Sequence, residues 1–152
     1  MAITPDSKAV VSVSRVNTIK IWDLKSGKYL KTLGWHHRPV TALTSTPDGK
    51  TIVSASYDQI IKIWNLQSGE CLRTLKGHND LVKDVAITPD GRVVVSTSHD
   101  RTIKVWNLEY EEEIAAFIGE SPMTCCTVTP DDRTIVVGEQ SGRVHFLRLE
   151  GL

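Results

Sequence analysis

Two sets of side chains in this sequence have the residue types of a Ser-His-Asp catalytic triad. The first set is His36, Ser54, Asp58 and Trp64, and the second set is His78, Ser96, Asp100 and Trp106. In a hydrolase, the histidine takes the proton of the serine hydroxyl while the carboxylate orients the imidazole. The two sets are separated by a constant 42 residues, and no Gly-x-Ser-x-Gly elbow is present. A duplicated set without a nucleophile elbow favours a structural use of these groups.

A buried hydrogen-bond relay is the structural use that we predict. The carboxylate would accept a hydrogen bond from the imidazole, the serine would fix the second ring nitrogen, and the indole N–H would be the last donor. Loss of Asp58 would then leave His36 buried without its partner, at a cost on the order of 1–3 kcal/mol. We therefore predict no catalytic residues and assign all eight side chains to the relay.

The elements that position these groups recur along nearly the whole chain. The tripeptide Thr-Pro-Asp occurs four times, at offsets of 42, 42 and 41 residues, starting at Thr4, Thr46, Thr88 and Thr129. The same offsets relate three tryptophan-containing segments and one weaker copy, which are residues 19–24, 61–66, 103–108 and 144–149. A period near 42 residues is typical of a β-propeller, in which each repeat forms one blade.

Each repeat has the pattern of four short strands. In the second repeat, apolar residues alternate or form short β-branched runs over about 40–45, 51–56, 60–65 and 70–75. Gly49 and Gly69 supply residues that tolerate positive φ in the turns between these strands. The sequence thus predicts an all-β fold, a β-propeller of four-stranded antiparallel blades, with about four blades in an open arc.

The third repeat contains one local conflict. Residues 108–117 are rich in helix formers and, taken alone, would favour a helix. Because the repeat equates Glu111 with Gly69, we predict instead a solvated acidic turn followed by an outer strand over 112–118. The predicted organisation is a single segment, 1–152, with blades at approximately 1–33, 36–75, 78–118 and 120–152.

These repeats resemble the WD-repeat family, in which a Gly-His near the start of a repeat is paired with a Trp-Asp near its end. Gly77-His78 with Trp106-Asn107 fits that frame, as does Trp35-His36 with Trp64-Asn65, over roughly residues 2–149. The family uses the His, Ser, Asp and Trp to tie the first loop of a blade to its strands. The resemblance implies a noncatalytic protein-interaction scaffold or sensor, without a cofactor, and does not name a partner.

The outer repeats lack the relay residues. The first repeat has Ser12 and Trp22, but Val16 replaces the aspartate. In the last repeat the four positions are occupied by Glu120, Val137, Ser141 and Leu147. We therefore expect the end blades to be the least stable part of the fold.

Both ends of the repeat array are incomplete. The first repeat begins at the tail of its innermost strand, and the last reaches Leu149 at the end of its third strand. An open arc would expose apolar faces on its end blades, so two alternatives remain: the C-terminal part of a larger signalling protein, or an eight-bladed homodimer. Residues 125–150 resemble the closing repeat of cyanobacterial multi-domain proteins that join a nucleotide-binding switch domain to WD repeats, which supports the first.

Composition argues against several classes of protein. Eighteen Lys and Arg balance eighteen Asp and Glu, so no net field favours nucleic acid. The chain has no run of about 18 apolar residues and no secretory signal after Met1, which predicts a cytoplasmic protein that does not bind membranes. Three cysteines and His36-His37 lack a set of ligands at metal-binding spacing, so no metal site is predicted. The repeat equates Cys126 with Leu43 and Val85 and predicts a small core residue.

Binding is expected at the loops of the propeller rim. Contacts in the family often involve the residue before the relay aspartate and the start of the innermost strand. Carried over by register, the candidate partner-binding rim is Arg15, Thr41, Tyr57, Lys83, His99, Thr124 and Gln140.

Among these rim residues, Tyr57 and His99 are the strongest candidates, because an aromatic ring and an imidazole combine contact area with a polar group. The alternative for both is an exposed turn residue without a role. Arg15, Lys83 and Arg101 add positive charge, so the predicted partner is an acidic or mixed-charge protein or peptide. Trp35, which replaces the glycine of the next repeat, is either a packing residue or a contact hot spot.

Overall fold

A computed structural model describes residues 1–131 and 133–150. The fifteen strands in this part of the chain form four consecutive antiparallel sheets, which we call blades 1 to 4. Blade 1 contains β1 (Ala2–Ile3), β2 (Ala9–Val13), β3 (Thr18–Asp23) and β4 (Tyr29–Trp35). Blade 2 contains β5 (Val40–Ser45), β6 (Thr51–Ser56), β7 (Ile60–Asn65) and β8 (Cys71–Lys76).

Blades 3 and 4 continue the same order. Blade 3 contains β9 (Val82–Ile87), β10 (Val93–Ser98), β11 (Thr102–Asn107) and β12 (Glu112–Ile118). Blade 4 contains β13 (Met123–Val128), β14 (Thr134–Glu139) and β15 (Val144–Arg148). The predicted all-β architecture is confirmed, and the sheets form an arc that the described residues do not close. The predicted end of the last blade at residue 152 lies outside the described residues.

The turns form where the repeat pattern places them. Gly49 and Gly69 have φ values of 68° and 80°, and Glu111 adopts 61° at the position equivalent to Gly69. The acidic segment of the third repeat is thus a turn, and β12 follows it as predicted. Pairing with β11 and packing of Ile114 and Phe117 against the fourth blade explain why strand formation overrides local helix propensity there.

Apolar packing between adjacent blades repeats along the arc. Each blade packs a face rich in β-branched residues against the next blade. The face of the next blade in this contact carries its tryptophan or the equivalent residue. Ile19 and Ile21 of blade 1 are buried in one cluster with Trp64 of blade 2. In the same way, Ile61 and Ile63 of blade 2 cluster with Trp106 of blade 3. Ile103 and Val105 of blade 3 cluster with Ile135, Val137 and Leu147 of blade 4.

The four Thr-Pro-Asp motifs close the turns between the first two strands of each blade, at what we call the lower edge. In the first copy, Thr4 Oγ1 donates to Asp6 Oδ1 at 2.7 Å, and the same carboxylate oxygen accepts from Lys8 N at 3.0 Å. Ala9 N donates to Thr4 Oγ1 at 3.0 Å. The motifs at Thr46, Thr88 and Thr129 repeat this geometry. These hydrogen bonds within the turn assign the motif to turn formation, and they also lower the pKa of Asp6.

Candidate functional site

The structure brings together the four relay side chains of blade 2. His36 Nδ1 donates to Asp58 Oδ2 at 2.9 Å, while His36 Nε2 lies 2.7 Å from Ser54 Oγ. Trp64 Nε1 donates to the same serine oxygen at 2.9 Å. His37 N and Ile60 N donate to the two carboxylate oxygens, both at 3.1 Å. The carboxylate therefore joins the loop before the blade to the turn between β6 and β7.

The relay of blade 3 has the same geometry and one additional donor. His78 contacts Asp100 at 2.8 Å and Ser96 at 2.7 Å, and Trp106 Nε1 donates to Ser96 Oγ at 2.8 Å. Asn79 N donates to Asp100 Oδ2 at 3.0 Å. Thr102 donates to Asp100 Oδ1 through both its backbone N–H, at 2.9 Å, and its hydroxyl, at 2.5 Å.

Electrostatics within the relays favour a charged aspartate. Burial raises the pKa of Asp58, but the hydrogen bond and charge interaction with His36 lower it overall. For Asp100, burial is outweighed by the bonds from Thr102, Asn79 and His78, which bring its pKa to about 2. Burial lowers the pKa of His78, an effect that Asp100 opposes.

The relay serines are placed for structure and are closed to a substrate. Ser54 and Ser96 are 0% exposed, and each hydroxyl is already shared between an indole and an imidazole. A nucleophile must reach the carbonyl carbon that it attacks. The geometry of these Ser-His-Asp sets thus supports no hydrolytic step without opening the blade.

Blade 4 contains a different polar network, centred on a buried carboxylate that the sequence pattern did not identify. Glu139 is 5% exposed and accepts hydrogen bonds from His145 Nε2 at 2.8 Å and Ser141 Oγ at 2.8 Å. Ser121 Oγ and Glu120 N also donate to it, at 3.1 and 3.2 Å. These bonds, led by that from His145, lower the pKa of Glu139 to about 2.

The absence of a side chain at Gly119 leaves room for this carboxylate. A Cβ atom on Gly119 would lie 2.3 Å from Glu139 Oε1 and 2.3 Å from the terminal methyl of Met123, so a side chain at position 119 would displace the network. The prediction that the fourth blade is among the least stable rested on its missing relay. That reason no longer applies to blade 4, because Glu139 ties its first loop to β14 and β15 instead.

Blade 1 keeps only part of the relay. Trp22 Nε1 donates to Ser12 Oγ at 2.7 Å, and Ser14 Oγ lies 2.6 Å from Thr18 Oγ1 across the turn between β2 and β3. Val16 is 73% exposed in that turn, at the position of the relay aspartate. The expectation of low stability therefore still stands for blade 1 and has yet to be measured.

The loops held by these networks form one edge of the arc, which we call the upper rim. It consists of residues 14–17, 36–41, 57–59, 77–83, 99–101, 119–124 and 140–143. Backbone bonds fix the turns against the loops, since Tyr57 N donates to Pro39 O and His99 N donates to Leu81 O. Gln140 N donates to Pro122 O in the same way. The upper rim is therefore a rigid support for outward-facing side chains.

Two of the candidate rim residues meet across a blade boundary. The Lys83 ammonium, on blade 3, lies 5.7 Å from the centroid of the Tyr57 ring on blade 2, within the range of a cation–π contact. Tyr57 remains 41% exposed. The pair thus forms an ordered surface with both aromatic and cationic character.

The other candidate rim residues differ in how accessible their side chains are to a binding partner. Arg15 and Gln140 are exposed and His99 is half-buried. The hydroxyls of Thr41 and Thr124 donate to Val82 O at 2.7 Å and to Gly138 O at 3.0 Å. Both threonines are therefore engaged in bonds within the protein, which reduces their value as contact residues.

Trp35 lies beside the upper rim and serves partly in packing. Its ring makes an edge contact with His37 at 4.7 Å, and the Lys62 ammonium lies 5.6 Å from its centroid. Lys62 Nζ also donates to Trp35 O at 3.0 Å. The indole is nevertheless 54% exposed. Both alternatives for this residue thus have structural support.

Positive charge predominates among the exposed side chains of the upper rim. Arg15, Arg38 and Arg101 are exposed, as are the carboxylates of Asp80 and Glu120. Arg143 pairs with Glu120 at 3.0 Å. Asp58 and Asp100 are enclosed in the relays, with side chains 6% and 7% exposed. The upper rim as a whole has five cationic and four acidic side chains, so its excess of positive charge is confined to the exposed surface, where the arginines outnumber the two carboxylates.

Cys126 is partly buried beside the carboxylate of Asp84. Cys126 N donates to Asp84 Oδ2 at 3.0 Å, which joins the innermost strands of blades 3 and 4. Burial raises the pKa of Asp84 and raises that of the Cys126 thiol well above its usual value. A thiol held in its protonated form is a poor nucleophile, so this geometry suits a packing role.

Across residues 1–131 and 133–150, no group of three or more acidic, histidine or cysteine side chains is arranged to hold a metal ion. The same part of the chain has no helix long and apolar enough to cross a membrane. The family described as WD domain, G-beta repeat, matches residues 27–65 and 69–107, about half of the chain. A search of curated proteins finds no match.

Proposed function

This chain belongs to the WD-repeat family, and we propose that its upper rim binds an acidic or mixed-charge peptide segment of a partner protein. Repeats of this family generally mediate protein–protein interaction and are typically noncatalytic. The partner would lie across blades 2 and 3. Tyr57 and Lys83 would form the centre of the contact, with His99, Arg101 and Arg38 around it.

The single observation that carries this proposal is the ordered Tyr57–Lys83 pair. An aromatic ring in a fixed orientation offers apolar contact area at a small loss of conformational entropy. The neighbouring ammonium favours a carboxylate on the partner, and rim arginines add to that preference. Because the pair spans two blades, it depends on the assembled arc rather than on one repeat.

Substitution at this pair tests the proposal. We expect Tyr57→Ala/Lys83→Glu to weaken binding of acidic peptides at least about tenfold, since it removes the aromatic contact and reverses one charge. The measurement is fluorescence anisotropy with 12-residue peptides that contain none, two or four glutamates. Tyr110→Ala/Lys25→Glu is the matched control, because Tyr110 is exposed in a lower-edge turn and Lys25 lies in another. Equal loss in both variants, or equal binding of neutral peptides, would contradict the proposal.

A second candidate function is assembly of two arcs into an eight-bladed homodimer, and the complementarity of the end faces favours it. Blade 1 presents Trp22, the equivalent of Trp64 and Trp106, on the side away from blade 2. Blade 4 presents Val144 and Phe146, which are 51% and 72% exposed, at the positions of Ile103 and Val105. These two faces have the residue types that pack together at the boundaries inside the arc.

Light scattering after size exclusion tests the ring. A closed dimer predicts one species with twice the mass of the chain, because two such contacts related by twofold symmetry leave no free end face. We expect Phe146→Lys to return that species to a monomer, since it places a charge in the contact. A monomer for the unaltered chain at micromolar concentration would exclude the ring as its resting state.

The larger context is proposed from the sequence. Residues 125–150 resemble the closing repeat of cyanobacterial multi-domain proteins, which supports a role as the C-terminal sensor or scaffold part of a bacterial, cytoplasmic signalling protein. In that setting the upper rim would recruit a protein partner without a cofactor, a nucleic acid or a membrane.

A further inference from the structure

A cleft lies at the lower edge of the arc, between blades 2 and 3. Its volume of about 580 Å³ falls within the range of about 300–1,000 Å³ that is usual for ligand sites. Blade 2 forms one wall with its turn at residues 46–48 and with residues of β7 and β8, and blade 3 forms the other with residues 90–92 and 108–109. Because blades 1 and 4 flank these two walls, the cleft does not depend on the ends of the arc.

Apolar residues form part of the lining. Ile63 and Leu108 are buried, whereas Leu72 is 49% exposed. Pro47 belongs to the same lining. A ligand with an apolar side chain against Leu72 would remove apolar surface from water, which favours binding.

Contacts across the blade boundary fix both walls of the cleft. Arg73 Nε donates to Glu111 Oε1 at 2.6 Å, and the same guanidinium donates through Nη1 to Leu108 O. On the other side, a Cβ atom on Gly91 would lie 3.3 Å from Pro47 Cδ, so the Pro-Asp-Gly turns of the two blades are in close contact. The cleft is therefore preformed, which limits the entropy lost on binding.

Both cationic side chains of the lining have an acidic neighbour. Arg73 is paired with Glu111, and Arg92 Nε lies 4.0 Å from Asp90 Oδ2. These carboxylates offset the charge of the two guanidinium groups, so the lining has little preference for an anion.

Two carboxylates of the lining are left for a cationic ligand. Among the described residues, no ion pair includes Asp48 or Glu109. Thr46 Oγ1 and Lys50 N donate to Asp48 Oδ1 at 2.5 and 3.0 Å, and these bonds, with a smaller effect of the Lys50 charge, lower the pKa of Asp48. Asp48 Oδ2 receives neither bond, so the charged carboxylate can accept from a ligand.

The boundary between blades 1 and 2 has the same architecture but only one of these carboxylates. The repeat equates Asp48 with Asp6, Glu109 with Gln67 and Leu72 with Leu30. Lys31 Nζ donates to Gln67 O there, in the place of the bond from Arg73 to Leu108 O. The second acidic residue is therefore specific to the cleft between blades 2 and 3.

We propose that this cleft binds an extended segment of a partner protein in which an arginine lies beside an apolar residue. The apolar side chain contacts Leu72, and the guanidinium pairs with Glu109 and is attracted by Asp48. A planar guanidinium can bond to a carboxylate through two parallel N–H donors, which favours arginine over lysine. The cleft and the upper rim lie at opposite edges of the arc and favour opposite charges, so either proposal can fail without the other.

A capped peptide with the sequence Gly-Ser-Leu-Arg-Leu-Ser-Gly serves as the probe, and calorimetric titration of the 152-residue chain measures its binding. We expect saturable binding together with shifts of the amide resonances of Leu72, Gly91 and Leu108. Citrulline in place of the arginine keeps the length and removes the charge, so it should weaken binding at least about tenfold. Equal binding of the citrulline probe would overturn the proposal. Equal affinity for arginine amide alone would also overturn it, because that result would indicate a small-molecule site.

Substitution of acidic residues tests the charge of the cleft. Glu109→Gln gives blade 3 the residue that blade 2 has at this position, and it should weaken binding of the probe at least about fivefold. Glu112→Gln is the matched control, because it removes the same charge from an exposed residue outside the lining. We expect this control to keep its affinity. Equal loss in both variants would show a diffuse effect of the acidic segment and would reject the site.

Substitution of leucines tests the apolar contact. Leu72→Ser should weaken binding at least about fivefold, since it removes apolar surface from the lining. Leu30→Ser is its control, because Leu30 is the equivalent residue at the boundary of blades 1 and 2 and is 55% exposed. Tyr57→Ala/Lys83→Glu should also keep its affinity for this probe. Equal effects of the two leucine substitutions, or loss of the probe in the upper-rim variant, would place the binding surface elsewhere and contradict the proposal.

Discussion

Replacing Asp100 with alanine is expected to lower the free energy of unfolding by about 3 kcal/mol. The carboxylate accepts bonds from His78, Asn79 N and both donors of Thr102. Truncation leaves these donors in a site that is nearly closed to water, and a buried unpaired donor has a larger effect on stability than the net value of its hydrogen bond. Chemical denaturation of the folded chain measures the loss.

Lowering the pH should reduce the difference in the free energy of unfolding between the unaltered protein and Asp100→Ala. The pKa of Asp100 is about 2 in the folded protein and 3.8 in its ordinary state. Its stabilising contribution is therefore fully present above about pH 3.8 and is lost as the pH falls towards 2. The lowered pKa of His78 makes the unaltered protein itself less stable as the pH falls below 6.5, because the unfolded chain takes up that proton first. Asp100 opposes this shift, so the His78 effect is larger in Asp100→Ala, and the difference between the two proteins shrinks only where the Asp100 carboxylate itself takes up a proton.

Two further variants distinguish loss of the relay from loss of an exposed carboxylate. Asp58→Ala should destabilise the protein less than Asp100→Ala, within the range of about 1–3 kcal/mol expected for an unpaired His36. The reason is that Asp58 has no hydroxyl donor like the Thr102 hydroxyl that donates to Asp100. Asp80→Ala, on the same loop as His78, should change stability by less than about 0.5 kcal/mol since its side chain is exposed. Unchanged stability of Asp58→Ala together with loss of a hydrolytic activity would reject the structural assignment.

The repeat made most of the fold predictable from the sequence. Where a position recurs with the same residue type, as with Trp22, Trp64 and Trp106, the strand and its buried face follow directly. Even β12 was predictable despite its helix formers, because the repeat fixed its register with β8. The relay could be proposed for the same reason, since both copies carry all four residue types at one spacing.

Departures from the repeat were harder to interpret. Glu139 occupies the position of Ser98, and His145 occupies that of Lys104. Each change alone resembles loss of a family residue, and only their proximity in the folded blade shows that one compensates for the other. The signal in the sequence was a pair of titratable residues that replaced the repeat residues at two positions on neighbouring strands. The contact between Tyr57 and Lys83 was also hidden, because it joins different repeats.

Replacing Glu139 with alanine is expected to open blade 4 while leaving blades 2 and 3 folded. His145, Ser121, Ser141 and the N–H of Glu120 would all lose their common acceptor. We expect amide hydrogen exchange in β13, β14 and β15 to accelerate on the order of tenfold or more, with smaller changes in β6 and β7. Exchange measured by NMR or mass spectrometry resolves the blades.

Charge at Glu139 gives this prediction a pH signature that simple loss of packing would lack. Because the pKa of Glu139 falls from 4.5 to about 2 in the folded protein, its contribution is present above pH 4.5 and is lost as the pH approaches 2. Glu139→Gln keeps the shape but cannot titrate, so the stability difference between this variant and the unaltered protein should shrink over that interval. A difference that is constant from pH 5 to 2 would show that the carboxylate charge does not hold blade 4 together.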